Sequence, residues 1–310
     1  MVLVTFPVLK KTVLIIIFCL LIFPDTFAQS ELKVKSRKET YKTTISANYL
    51  LTSVGFTVKD MGSGGSILTW RDIYLNGAYL SVDFQNAPSF FDRSNIGVGF
   101  SGFFNGYWTD DDANNSINKI HVSTTETIFL ELKYEMHTDK SVFNPKLGVD
   151  FNMIQFKNYD TRAFLGKPDY PETIMIFMNM EGFVCGYDLY KLGFYGGVSA
   201  VFGNRVVYLE ASAQIGIGFY SGIGNWLNNP KFQNPVSFWD YGYYFRGGGD
   251  LEAGLKLGRV TLFLKALLSF EINPGLGTDL YFLSDDTSGT QFQSYQFTRA
   301  SFCAGLKVSF

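Results

Sequence analysis

The feature that most restricts the fold is an alternation of period two, sustained over runs of ten residues or more. Successive side chains of a strand point to opposite faces, so such a run has two chemically distinct sides. In Tyr208–Phe219 one side carries Leu209, Ala211, Ala213, Ile215, Ile217 and Phe219, and the other Glu210, Ser212, Gln214, Gly216 and Gly218. Leu251, Ala253, Leu255 and Leu257 alternate with Asp250, Glu252, Gly254 and Lys256. Ile128–His137, Arg259–Leu268 and the last residues, Phe302–Phe310, repeat the pattern. Strands of ordinary globular proteins are about 5–6 residues long, so these runs are too long for a typical sandwich.

Residues 1–28 are a different kind of segment. Lys10 and Lys11 precede the apolar run Val13–Phe23, and Thr26-Phe27-Ala28 precedes Gln29. A positive start, an apolar run shorter than the roughly 20 residues of a membrane helix and small residues at the end describe a secretory signal peptide. Cleavage is expected near Ala28, leaving 29–310 as one domain. No later window is apolar enough for a helical span.

Strands of this length in an exported chain predict an all-β, transmembrane antiparallel β-barrel of about ten strands, in the outer membrane of a Gram-negative cell. Only 17% of residues are charged, against about 25% in soluble domains, while Phe (31), Tyr (18) and Gly (31) are abundant. The net charge of −2 gives no basic footprint for nucleic acid. The terminal Phe310 completes an apolar face, as in strands read by the barrel-assembly machinery, an expected partner alongside outer-membrane lipid.

The polar phase then lines the lumen. It carries Glu131, Lys133, Glu135, Asp150, Lys191, Glu210, Gln214, Asp250, Glu252, Lys256, Lys265 and Lys307. Both signs are interleaved, so the expected interior is a paired network filling a narrow barrel. Gly193, Gly197, Gly216, Gly218 and Gly254 leave room there for long neighbours. Ten strands are expected: Lys42–Val58, Ser66–Phe84, Asn95–Tyr107, Thr124–His137, Pro145–Tyr159, Phe177–Phe202, Arg205–Gly222, Tyr241–Leu257, Arg259–Ile272 and Phe297–Phe310. Trp108–Ser123 is expected to be a polar loop. Cys185 and Cys303 are expected to be small packed residues rather than a disulfide.

Several segments carry a family likeness. GGSILTW (Gly64–Trp70), LNGAYLSVDF (Leu75–Phe84), IGVGFSGFFNGYWTDDDANNS (Ile96–Ser116), KLGFYGGVSA (Lys191–Ala200), YLEASAQIGIGFYSG (Tyr208–Gly222) and AGLKVSF (Ala304–Phe310) follow one another in the order of the omptins, which the chain resembles. Omptins are ten-stranded outer-membrane endopeptidases that hold a water between an Asp pair and an Asp–His pair. The resemblance puts the first pair on Asp110 and Asp112. It finds no second pair, because an ungapped match puts Pro230 and Phe232 in the Asp and His places. The only histidines are His121 and His137.

The missing pair implies an omptin-like barrel without proteolytic activity, with a structural, adhesive or ligand-binding role. The alternative is a working endopeptidase in which His121 serves Asp110 and Asp112 as the base, His being suited to that task near neutral pH. A second alternative is a small porin, against which bulky inward charges argue. Asp110–Asp112 lack the Gly and distal Glu of an EF-hand loop, so no metal or cofactor is expected. The resemblance also implies lipopolysaccharide as a partner, without a matched site. Trp70, Tyr107, Trp108, Trp226, Trp239, Tyr241, Tyr243 and Tyr244 are expected in interfacial aromatic girdles, with an exposed adhesive segment, Ser237–Phe245, as the other reading.

Overall fold

The computed structural model describes residues 43–60, 66–86, 90–102, 107–112, 118–138, 143–165, 176–204, 206–226, 236–283 and 288–310. The expected signal peptide, and Pro230 and Phe232, lie outside them. No helix occurs among the described residues. The strands are β1 (Thr43–Asp60), β2 (Ser66–Gln85), β3 (Arg93–Gly102), β4 (Tyr107–Asp112), β5 (Asn118–His137), β6 (Phe143–Leu165), β7 (Ile176–Gly203), β8 (Val207–Trp226), β9 (Val236–Leu257), β10 (Val260–Leu283) and β11 (Ser288–Ser309).

β3 and β4 both pair with β2 and β5, so they are two pieces of one barrel strand. β1 pairs with β2 on one side and β11 on the other. The sheet therefore closes as an antiparallel barrel of ten strands and has no open edge.

One end of the barrel is tightly finished. Phe310 N–H donates to the Thr43 carbonyl (2.9 Å), bringing the two ends of the described chain together. Gly258, at φ 67°, makes the two-residue hairpin between β9 and β10. At the β7–β8 turn, Asn204 Oδ1 accepts from the amides of Val206 and Val207 (both 2.8 Å). In outer-membrane barrels the short-turn end is periplasmic.

Leu262 and Ile217 are about half exposed on the outer wall, whereas Lys191, Glu252 and Glu271 are buried inside. The expected phase of the alternation thus holds. Cys185 and Cys303 are both small buried residues, as expected, and Asn158 Nδ2 donates to Cys185 Sγ (2.9 Å).

The strands run farther than expected at the long-loop end. Asp110–Asp112 lie in β4 and His121 in β5, where a loop over Trp108–Ser123 was expected. β9 starts at Val236 instead of Tyr241, and β11 at Ser288 instead of Phe297. On β5–β7 the cause is a reversal of chemistry with height. Near the short turns the outer face is apolar and the inner face charged. Farther up, Phe156, Tyr187, Tyr220 and Phe297 fill the inside while the outside carries Glu126, Lys157 and Asp188. A search for apolar-out alternation stops at that crossover.

Candidate functional site in the lumen

The lower lumen is a network of ion pairs supplied by facing strands. Arg299 on β11 meets Glu131 on β5 through both terminal nitrogens (3.1 Å each) and lies over Phe129. Such a two-pronged contact fixes orientation as well as charge. Lys133 pairs with Glu135 (3.0 Å), which also accepts from Tyr195 Oη (2.8 Å). Lys265 pairs with Asp250 (3.0 Å), Lys307 with Glu252, and Arg246 with Asp150. Tyr208 Oη adds a hydrogen bond to Glu252 (2.6 Å).

The pair at the centre is Lys191 and Glu271, with Nζ and Oε2 2.9 Å apart. Tyr295 Oη donates to the same carboxylate (2.6 Å), and the Lys191 ammonium stands 3.4 Å from the centre of the Phe297 ring. Taking two charges out of water costs several kcal/mol each, which is tolerable only with this degree of compensation.

Above this layer the lumen is an aromatic core. Phe56, Trp70 and Phe156 have ring centres 5.1–5.8 Å apart, and Tyr187 lies 5.4 Å from both Phe56 and Trp70. Tyr220 stacks on Tyr295 at 4.6 Å. Tyr187 Oη donates to Asp240 (2.7 Å) and Tyr220 Oη to Gln293 (3.2 Å).

A lumen wide enough for solutes would leave its lining accessible. Instead Ile154, Leu189 and Asn273 are 0% exposed and Lys191 is 2% exposed. At the lower end the side chains of Lys133, Lys265 and Lys307 are about a quarter exposed to water.

The abundance of Gly and Tyr has a common origin. An added Cβ at Gly97 would lie 1.9 Å from Tyr79 Oη, at Gly148 2.2 Å from Tyr195 Cζ, at Gly222 2.0 Å from Tyr187 Oη and at Gly254 2.2 Å from the Tyr208 ring. Each ring lies over a glycine of a neighbouring strand, and the hydroxyls of Tyr195, Tyr187 and Tyr208 go on to Glu135, Asp240 and Glu252. Gly218 likewise makes room for the Tyr244 ring and Gly193 for Asp150, Arg246 and the Tyr244 hydroxyl, as expected, while Gly197 and Gly216 face backbone.

For Asp110, Asp112 and His121 the backbone gives the pairing. Asp110 and Asp112 stand opposite Leu68 and Ser66 of β2, two and four positions from Trp70, which pairs with Trp108. On the other side Asp110 stands opposite Ile120, and His121 opposite Thr109. His121 is thus in phase with Thr109 and Asp111, and Asp110 and Asp112 have the other phase. His137, the second histidine, sits at the short-turn end, with Nε2 3.3 Å from Asp83.

No family model matches the chain, and no curated protein matches it. Solved structures do match. The outer membrane protease OmpT of Escherichia coli superposes with a TM-score of 0.68 at 13% identity, covering 86% of this chain and 97% of that one. The chain has the fold of an outer-membrane β-barrel. The translocator domain of the autotransporter NalP of Neisseria meningitidis matches at 0.39 and 10% identity, over 87% and 89% of the two chains. The monoaromatic hydrocarbon channel TodX matches at 0.32 and 8%, over 87% and 91%.

Arg246, Glu271 and Arg299, three anchors of the network, were not among the expected lumenal charges. Arg299 was recoverable: it precedes Ser301, Cys303, Gly305 and Lys307 in the inward phase of the last strand. Arg246 and Glu271 stand where the charged layer meets the aromatic core, with Tyr244 the next inward residue above Arg246 on β9.

Proposed function

We propose that this protein is a non-conducting, non-proteolytic omptin-like barrel of the Gram-negative outer membrane. It serves as a rigid pillar that holds a binding or adhesive surface at the cell exterior. The observation that carries this reading is the filled lumen. A paired charge layer capped by an aromatic core stiffens the barrel and leaves the outward-facing end to interact.

The absence of proteolysis rests on the sequence and the pairing phase. The segment 223–235 contains neither His nor acid, His137 is at the far end, and His121 is out of phase with Asp110 and Asp112. A base must reach the water it deprotonates before its basicity matters. Outer-membrane lipid surrounds the wall, and lipopolysaccharide is its expected outer-leaflet component. The barrel-assembly machinery engages the strand ending in Phe310.

Two measurements test this function. In planar bilayers the purified barrel is expected to give no steps above baseline; reproducible unitary conductance would make it a channel. Folded with lipopolysaccharide and given dibasic peptides, it is expected to leave them intact. Cleavage abolished by both Asp112→Ala and His121→Ala would establish the endopeptidase instead.

A further inference from the structure

The outer wall of β8 and β9 carries an apolar ridge that outlasts the lipid belt. Each residue of a tilted strand climbs about 2.5 Å, and the apolar band of such barrels is about 25 Å tall. Trp239 stands eighteen residues above Leu257 along β9, roughly 45 Å up by the same rise. Hydrocarbon does not reach that height.

The ridge ends toward β7, while toward β10 it continues through Leu280, opposite Trp239, and Ile272, opposite Phe245. The rung through Trp239 runs from Gln155 on β6 through Asp188 on β7 and Ile223 on β8. On β6 and β7 that rung is polar, with Gln155 Nε2 donating to Asp188 (2.9 Å). On β8 and β9 it is Ile223 and Trp239, both nearly half exposed. Below them follow Tyr241, then Phe219 beside Tyr243 (4.9 Å), then Ile217 beside Phe245. The rings are held in place, since Trp239 Nε1 donates to Ser221 Oγ (2.7 Å) and Trp239 packs on Tyr241 (5.6 Å). One rung higher, Ser237 and Asn225 end the ridge with a hydrogen bond (2.9 Å).

From Val207 to Ile223 and from Leu257 to Trp239, the outward phase of these strands contains no charge. Lower on the same side, Gly196 of β7, opposite Ile215, leaves a groove of about 610 Å³ between Leu147, Phe194, Ile217 and Phe245. Beside it Ile215 projects, 76% exposed.

We propose that this wall is the interface of a symmetric dimer, with the β8–β9 ridge of one copy against that of a second copy. The partner must be apolar both inside the membrane and some 20 Å beyond its apolar band, at matching heights, by the rise just given. A second copy meets that requirement by construction. A two-fold interface has to be self-complementary, and a projecting Ile215 beside a groove meets that condition without bringing like charges together.

The area suffices. Phe219, Trp239, Tyr241, Tyr243 and Phe245 are each about half exposed. At about 150–250 Å² per ring, these five offer roughly 400–600 Å². Ile215, Ile217 and Ile223 bring the patch to about the 800 Å² per partner of a standard interface.

The test is the mass of the full mature barrel in detergent micelles by sedimentation, with folding verified by heat-modifiable gel mobility. The wild type is expected at twice the monomer mass, and Ile223→Glu/Tyr243→Glu at half that value. Gln155→Glu, on the polar wall, should remain dimeric. Should the double variant misfold, Tyr241→Cys supplies an independent measurement: oxidation in whole outer membranes is expected to yield a covalent dimer, and Gln155→Cys none. A monomeric wild type, a dimer indifferent to the ridge substitutions, or a monomer retaining bound lipopolysaccharide that the ridge substitutions release would each overturn the proposal.

Discussion

Lys191→Met is expected to lower the unfolding free energy of the barrel by about 3–5 kcal/mol, the cost of leaving one member of a buried ion pair without its partner. The substitution keeps length and volume, so packing against Phe297 survives while the positive charge is lost. Glu271 then holds a carboxylate in a dry layer with only the Tyr295 hydroxyl bonded to it. The nearby cation, Arg246, is engaged with Asp150. Lys191→Met/Glu271→Gln is expected to recover most of the loss, because a neutral amide still accepts from Tyr295 and nothing charged remains unpaired. Urea unfolding from micelles, followed by tryptophan fluorescence, reads all three proteins. A single variant within about 1 kcal/mol of wild type, the range of exposed ion pairs, would mean that this layer is wet and that the lumen is no plug.

The membrane-level half of this molecule was legible because the bilayer and the lumen impose opposite demands on alternate residues. Leu209, Leu262 and Leu306 against Glu210, Thr261 and Lys307 can satisfy both only as strands of a closed barrel. The upper half was less legible. There the inside is aromatic, and the outside is polar on β5–β7 but apolar on β8–β9, so Tyr187, Tyr220 and Tyr295 had no distinctive phase until Lys191 and Glu271 marked the top of the charged layer. A local bulge adds to the difficulty. The pairing of β1 with β2 shifts by one residue between Val54 and Phe56, which changes the inward phase from Ile73 to Trp70. For the candidate site, the resemblance located Asp110 and Asp112, but period two alone did not assign His121 to a face. Its phase follows from β4 and β5 pairing beyond the membrane level, a long-range register that no local pattern encodes.

Gly148→Val is expected to destabilise the barrel by about 3 kcal/mol, summing overpacking with the loss of a buried hydrogen bond. The atoms nearest an added Cβ all belong to Tyr195, at 2.2–2.7 Å, so this ring is what must move. Moving it breaks the bond from Tyr195 Oη to Glu135 and removes the ring from beneath Lys133 and Arg246. Tyr195→Ala alone loses the same contacts and leaves a void over Gly148. Gly148→Val/Tyr195→Ala is expected to be more stable than the sum of the single effects predicts, by about 1–2 kcal/mol, because the valine enters space the ring has vacated. Additive single effects would show that glycine is needed at 148 for its backbone freedom alone, and that the tyrosine–glycine pairing does not explain why this barrel is rich in both. The same logic extends to Tyr79 over Gly97 and Tyr208 over Gly254. In each pair the glycine lets an aromatic ring cross the wall of the lumen and deliver its hydroxyl to the interior, so the filled core and the unusual composition are one property.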